Sequence, residues 1–347
     1  MSPMPARKAL SVISRALTPN RPYHVQWMVT RRCNYRCAGC NVWREQDTKE
    51  LSTEEIKRGL EILRKLGVLE IVISGGNPLL RPDIDEIIEY ASRFFITTVY
   101  DNGSLAAEKI DALRDADFVA ISIDSLHPEK NDSIKGVKGS WKKAVEAVEK
   151  LRDEGINVSV SPTISQFNLY EIIDFTKYFL EKGIPLWYCL YSFDLSNQAS
   201  SLFNIGKAND EFLIKDNGAM VELCDSLMDL KRKNGKILMT TKVLEAMKHL
   251  YAAGERTWRC RALRSFFVIN HLGEVSGCHL HKPAASIFDL PKVWNSKRFD
   301  DLRKTYSRCR DCTYLCYIFY SIHGSVVGNM QIAWDRWRSA KLFLKRD

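Results

Sequence analysis

The stretch Cys33-Asn34-Tyr35-Arg36-Cys37-Ala38-Gly39-Cys40 decides how this chain is read. It follows directly on His24–Val29, a β-rich run, so three thiols stand on a short loop at the end of a strand. A loop this short can wrap three thiolates around one cuboidal iron–sulfur cluster. No fourth cysteine lies nearby, so one iron is left for a small molecule. The same logic separates an open catalytic zinc site from a closed structural one. Zinc is the competing reading, but it wants four close ligands, and this loop offers three and no histidine.

Outward from that loop, short β-rich runs alternate with amphipathic helical runs. Further strands are expected at Leu69–Ser74, Phe95–Tyr100, Phe118–Ile123, Val158–Pro162 and Leu186–Tyr191. Ser52 and Glu55 form a capping box, and Ile56, Leu60 and Leu63 then repeat at helical spacing up to Gly67. Trp141, Val145, Val148 and Leu151, closed by Gly155, give a second stripe; Leu169, Ile172, Ile173 and Phe179, closed by Gly183, give a third. Repeated strand–helix units force parallel strands with right-handed crossovers. The expected fold is α/β, a partial (βα)6 TIM-like barrel with chemistry at the C-terminal ends of its strands. A C-terminal α+β auxiliary-cluster domain is expected to follow it. The division expected is a basic amphipathic segment at 1–22, the barrel at 23–205, a helical connector at 206–255, the auxiliary-cluster domain at 256–322 and an amphipathic helix at 323–347.

The chain has 347 residues, of which 45% are hydrophobic and 27% charged, which suits a core-forming protein and excludes disorder or a collagen-like repeat. No run of eighteen apolar residues occurs, and no secretory signal pattern opens the sequence. Of the 10 cysteines, all but Cys189 and Cys224 fall into two groups. In a reducing compartment such clusters read as metal ligands. The expected location is cytoplasmic, with the inner membrane surface as an extension. The net charge is +9, and no acidic residue occurs before Glu45. That favours an anionic substrate, an acidic partner or a membrane surface, although a solvated face plus neutralisation of an anionic cluster and cofactor accounts for it more simply. No nucleic-acid partner is expected, because the charge is spread along helices and no RNA-binding module is evident.

The Cys-x3-Cys-x2-Cys loop resembles the signature of the radical S-adenosylmethionine (SAM) superfamily. The run Ser74-Gly75-Gly76-Asn77-Pro78 resembles its GGEP motif, and Asp101-Asn102-Gly103 and Ser122-Ile123-Asp124 resemble its SAM-binding strand edges. The resemblance implies a [4Fe–4S] cluster on Cys33, Cys37 and Cys40 whose free iron chelates SAM. It implies cofactor contacts from Gly75, Gly76, Asn77, Pro78, Asn102, Ser122 and Asp124. It implies reductive cleavage to a 5′-deoxyadenosyl radical and hydrogen abstraction from a substrate C–H bond, with a ferredoxin or flavodoxin-type electron donor. Two positions depart from the pattern. Asn77 replaces the usual Glu, keeping an amide oxygen for the methionine ammonium. Gly39 stands where an aromatic residue usually packs near adenine, with Trp43 or Tyr35 as substitutes.

Cys260, Gly273, Cys278, Cys309, Cys312 and Cys316 resemble the SPASM or twitch extensions of the same superfamily. The resemblance implies one auxiliary [4Fe–4S] cluster held by four of those five cysteines. A zinc ribbon using His279 or His281 is the alternative. Around it, Phe266–Asn270 and Glu274–Gly277 read as a hairpin turning at Gly273. Cys189, in the sixth strand, is either a hydrogen donor to a product radical or plain packing. Tyr188 and Tyr191 are candidate cavity residues, and Cys224 is expected in the core. Ala6, Leu10, Ile13 and Leu17, and Met330, Trp334, Trp337 and Leu344, form stripes that either pack on the domain or meet an anionic membrane. The substrate expected is a peptide or an isoprenoid or phospholipid. The alternative of another class is a non-catalytic iron–sulfur or zinc protein for electron transfer or sensing, which has no need of the strand-edge motifs.

Overall fold

The computed structural model describes residues 22–44, 49–192, 211–310 and 313–325, with positions 327, 328, 330, 332, 334 and 335. Cys312, residues 1–21 of the N-terminal stripe, and Trp337 and Leu344 of the C-terminal one lie outside the described residues.

The chain enters at β1 (His24–Thr30) and then alternates: α1 (Thr53–Leu66), β2 (Glu70–Gly75), α2 (Ile84–Ser92), β3 (Ile96–Asp101), α3 (Ile110–Leu113) and β4 (Phe118–Ile121). Two helices, α4 (Pro128–Lys135) and α5 (Ser140–Asp153), precede β5 (Val158–Val160), β6 (Thr163–Ile164), α6 (Ile172–Glu181) and β7 (Cys189–Leu190). β1 to β5 lie side by side in chain order, every neighbouring pair parallel. A bridge from Val160 to Leu186 and the parallel pair β6–β7 carry the wall onward. The expected strand Val158–Pro162 is split, because Pro162 has no N–H for the ladder; its carbonyl instead accepts from Cys189 N at 2.9 Å.

Local signals fix the helix ends. Ser52 Oγ accepts from Glu55 N while Glu55 Oε2 accepts from Ser52 N at 2.9 Å, and α1 closes at Gly67 in the left-handed conformation (φ 82°). Strand alternation sets the two faces of the wall. Trp27 points outward, so close to α1 that a Cβ on Gly59 would lie 2.5 Å from its ring. Its neighbour Gln26 points inward and donates to Ser74 Oγ on β2 at 3.2 Å.

The C-terminal part is α+β, as expected. After α7 (Asn217–Lys233) and α8 (Thr241–Ala253), the hairpin β8 (Phe266–Ile269) and β9 (Glu274–Ser276) forms as read, turning at Gly273. It does not build a sheet of its own. β8 pairs in parallel with β1, from His24↔Phe266 to Trp27↔Ile269, so the hairpin and β10 (Ala285–Ser286) extend the barrel sheet in the order β10-β9-β8-β1-β2-β3-β4-β5. A helix pair, α9 (Leu290–Val293) and α10 (Lys297–Arg308), and then α11 (Leu315–Ile322) complete the described fold. Among the described residues no helix is long and apolar enough to cross a membrane.

Candidate functional site

The three-cysteine loop is pinned by backbone to the end of α4. Arg36 N donates to Lys135 O at 3.2 Å and Ala38 N to Ile134 O at 2.9 Å. Gly136 sits so close below that a Cβ there would meet Arg36 O at 2.3 Å. Burial pushes the Cys33 thiol up to about 11 and the Cys37 thiol up to about 12, and raises Cys40 as well. Each thiol is therefore protonated until a metal displaces its proton. The positive charge of Lys135 opposes that rise at all three, and Arg31 does so at Cys40.

Lys135 escaped the sequence reading, since nothing in its helical surroundings marks it out. It is buried, bridges Asp124 Oδ2 at 2.7 Å, and donates to Ser122 Oγ at 2.7 Å. Burial works against its charge, but the Asp124 carboxylate beside it outweighs that and raises its pKa. Asp124 Oδ1 also accepts from Thr163 N at 2.8 Å. Ser122 and Asp124, expected as strand-edge contacts, thus stand together around one buried ammonium.

At the end of β2, glycine is required by close backbone approach. A Cβ on Gly75 would lie 2.4 Å from Thr30 O, and one on Gly76 would lie 2.4 Å from Arg32 O. Asn77 carries a structural task of its own. Its side chain is fully buried, and its Oδ1 accepts from Leu79 N at 2.9 Å, capping the short helical turn Pro78–Leu80. Its Nδ2 reaches Asn34 Oδ1 (3.1 Å), Ser104 Oγ (3.0 Å) and Asn102 Oδ1 (3.2 Å). One amide therefore ties the loops after β1, β2 and β3. Asn34 and Ser104 were not legible as members of this knot.

The missing aromatic at Gly39 has a spatial answer. A Cβ on Gly39 would lie 2.6 Å from the Tyr191 ring, so a ring stands there, supplied by the end of β7. Behind it lies Phe212, at 5.3 Å between centroids. Of the two expected substitutes, Tyr35 is buried and Trp43 Nε1 donates to Cys37 O at 3.1 Å.

In the second group, Cys260, Cys278 and Cys309 line one cavity with Trp258, Leu280 and Tyr306. Burial pushes Cys260 up to about 11, and Cys309 adds to the rise. Helix α11 separates this cavity from the barrel. Tyr317, Ile318 and Ser321 face the cavity. Phe319 and Tyr320 face the other way, Phe319 against Trp187 at 5.1 Å and Tyr320 stacked on His24 at 3.6 Å while donating to Glu70 at 3.0 Å. Cys316 belongs to that second face, one turn before Tyr320. It is half-buried and is not among the residues that line the cavity. His279, one zinc candidate, is buried between Tyr314 and Tyr317, and burial drives its pKa far down, leaving it neutral.

The sequence profile of the Radical SAM superfamily matches residues 27–185, and that of SPASM, an iron–sulfur cluster-binding domain, matches residues 260–313. The chain belongs to the radical SAM superfamily. It is 32% identical over 302 residues to the antilisterial bacteriocin subtilosin biosynthesis protein AlbA of Bacillus subtilis, covering 80% of this chain and 62% of AlbA. It is 32% identical over 186 residues to Fe-coproporphyrin III synthase of Methanosarcina barkeri, covering 52% of this chain and 46% of that protein. The chain thus spans less than two thirds of either relative. Streptococcus suis SuiB bound to precursor peptide SuiA shares the fold, with a TM-score of 0.63 and 18% identity, over 90% of this chain and 74% of SuiB.

Membership implies a [4Fe–4S] cluster with SAM in the barrel and iron–sulfur ligation in the SPASM domain. The residues present fit both groups. The barrel offers a three-thiol loop beside a buried ammonium, and a glycine pair too close to backbone to carry side chains. The SPASM region offers three thiols on a single cavity.

The radical SAM barrel also shows which side chains face its lumen. Just past β5, Ser161 Oγ lies 3.6 Å from Cys189 Sγ, and burial raises the pKa of Tyr100 on β3, on the same side. Tyr188, a candidate cavity residue, points the other way and shares a 2.8 Å hydrogen bond with Thr176 on α6. Trp187, Cys189 and Tyr191 are the inward set, as a two-residue period requires. Cys224 is buried in the core.

Proposed function

We propose that this chain is a radical SAM enzyme that takes hydrogen from a C–H bond of a polar, peptide-type substrate held in the barrel lumen, with one auxiliary [4Fe–4S] cluster alongside. When bound, the cluster and SAM supply a carbon-centred radical strong enough for an unactivated C–H bond. Cys33, Cys37 and Cys40 are the ligands of that cluster. Gly75 and Gly76 present backbone at the cofactor, and Pro78 and Asn102 complete the rim that Asn77 ties together. Lys135, held by Ser122 and Asp124, offers positive charge to a carboxylate. Tyr191 offers an aromatic surface beside the cluster loop.

The polar lining of the lumen carries the substrate assignment. Gln26, Ser74, Tyr100 and Ser161 turn amide and hydroxyl groups inward, Gln26 donating to Ser74 at 3.2 Å. An isoprenoid chain buried there would leave the remaining donors and acceptors of those groups without water or partner, at roughly 1–3 kcal/mol for each one left unsatisfied, whereas a peptide brings its own donors and acceptors. AlbA, by its name, and SuiB, by its bound peptide, support the same direction.

Cys189 is the hydrogen source that we assign to the product radical. Burial raises its pKa and so keeps the S–H form, the one with a hydrogen to give. Cys260, Cys278, Cys309 and Cys312 are the auxiliary ligands in this reading. An acidic ferredoxin or flavodoxin suits a chain of net charge +9 as electron donor. Val327, Met330 and Trp334 are exposed at helical spacing, which supports peripheral contact with an anionic membrane.

Anaerobic reconstitution with iron and sulfide, then SAM and dithionite, tests the reaction class. The expected product is 5′-deoxyadenosine, and its absence ends the enzyme reading. Candidate peptides and isoprenoid lipids, assayed side by side, test the substrate: acceleration by lipid alone reverses the peptide assignment. In D2O, Cys189→Ala is expected to keep 5′-deoxyadenosine formation and lose deuterium incorporation into product. Failure to sediment with phosphatidylglycerol vesicles removes the membrane contact.

A further inference from the structure

The turn after Cys278 is held from several sides at once. Ser276 Oγ lies 2.9 Å from both Cys278 O and His281 O, so its single hydrogen is shared between the two ends of the Cys278–His281 turn. Tyr306 packs flat on Gly277, where a Cβ would lie 2.3 Å from its ring, and its hydroxyl accepts from Gly277 N at 3.2 Å. The His281 ring stands edge-on to the same Tyr306, with centroids 4.9 Å apart at 82°. Cys309 N in turn donates to Tyr306 O at 3.0 Å. This ring of contacts brings His281 Nε2 to 4.0 Å from Cys309 Sγ, within reach of a hydrogen bond to sulfur.

We infer that His281 is a positioning residue for the auxiliary cluster, donating its Nε2–H to the Cys309 sulfur. This rests on the reading of Cys309 as a cluster ligand. A donor aimed at a ligating thiolate draws electron density from the sulfur. The reduced cluster carries more negative charge and gains more from that donor than the oxidised one, so the potential rises. In the reading this rests on, Cys312, outside the described residues, is the fourth ligand, and the imidazole is assigned to sulfur as a donor and not to iron as a ligand.

The full-length chain with Cys33, Cys37 and Cys40 replaced by alanine isolates the auxiliary signal for spectroelectrochemistry. In that background His281→Phe is expected to retain its iron and sulfide and to reduce at lower potential. At the parent's midpoint, its oxidised-to-reduced ratio should rise about tenfold, or about 59 mV for one electron. His281→Gln, which restores an N–H donor, is expected to recover part of that shift. An unchanged potential in His281→Phe overturns the inference, and so does a nitrogen hyperfine coupling of direct-ligand size in the reduced parent. If His281→Phe does not hold a cluster, His281→Gln and His281→Asp decide between them: the Gln variant is expected to stay nearer the parent's potential than the Asp variant, which has no N–H to give, and the reverse order overturns the inference. Retention of the cluster by Cys309→Ala is a separate result: it removes the ligand assignment beneath the inference.

Discussion

The loop Cys33–Cys40 is one continuous turn between β1 and a short helical turn, whereas Cys260, Cys278 and Cys309 arrive from a stretch before β8, the end of β9 and the end of α10. The first site is organised by backbone that the loop touches directly: the end of α4 and the glycines after β2. The second depends on a hairpin that pairs with β1 and on Tyr306, which bridges Gly277 and Cys309. A local site tolerates change elsewhere in the chain; an assembled one inherits every element that carries a ligand to it. α11 lies between the two, with its opposite faces turned to the cavity and to the lumen.

The sharpest way to break this contrast is to remove one ligand from each side. Cys37→Ala is expected to abolish 5′-deoxyadenosine formation while leaving auxiliary iron in place, and Cys309→Ala to lose auxiliary iron while the first cluster stays. Iron counts and low-temperature EPR spectra of both proteins check this. Loss of both clusters in either variant would show the sites to be interdependent.

Next in size is the buried ammonium. Lys135→Met leaves the Asp124 carboxylate unpaired in the interior and should cost roughly 3–5 kcal/mol, read by denaturant unfolding of the apoprotein. A loss near zero would mean that Asp124 finds water, and the pair would not be the organiser claimed for it.

The Gly39 contact gives a smaller effect of opposite sign in combination. Gly39→Phe alone clashes with Tyr191 and should weaken SAM binding, as should Tyr191→Ala, which removes the ring. The double variant returns an aromatic to the same space and should bind SAM better than either single one by calorimetry. Simple additivity would separate the two positions.

Asp101, buried at the end of β3, is held up to about 7 by burial, against donors at Gly103 and Asn102 that lower it. Its folded value lies above the unfolded one, near 4, so its contribution is full below pH 4 and is lost as pH rises toward 7. The slope is at most about 1.4 kcal/mol per pH unit. Urea midpoints of apo Asp101→Asn between pH 5 and 8 should run flatter than those of the parent.

The smallest expected effect is the most discriminating for α11. Cys316→Ser should leave auxiliary iron content unchanged, because Cys316 stands on the lumen face; a loss of iron would return it to the ligand set.

Much of this was legible in the chain because the signals are local. The capping box Ser52–Glu55, the Gly67 stop, the Gly273 turn and the order of strands from β1 to β5 follow from short-range periodicity and turn chemistry, and they appear with shifts of a residue or so. The partial barrel was readable for the same reason, being carried by contiguous motifs, and its SPASM extension through the spacing of its cysteines. Strand alternation in Leu186–Tyr191 was readable in principle, but its phase was not, since a fully buried strand is apolar on both faces; only Tyr188 meeting Thr176 fixes it.

What the sequence by itself determined is the identity of the chemistry: three thiols on one loop, glycines where backbone must approach, and a second thiol set with its own spacing. These are covalent and local facts. Tertiary structure alone decided who stands beside whom. Asn77 became the knot of three loops, Lys135 entered the site from a helix end, Tyr191 filled the space above Gly39, and Cys316 turned from the auxiliary cavity to the lumen. Each depends on contacts between residues far apart in the chain, whose distances are set by how helices and strands pack and not by any spacing along the sequence.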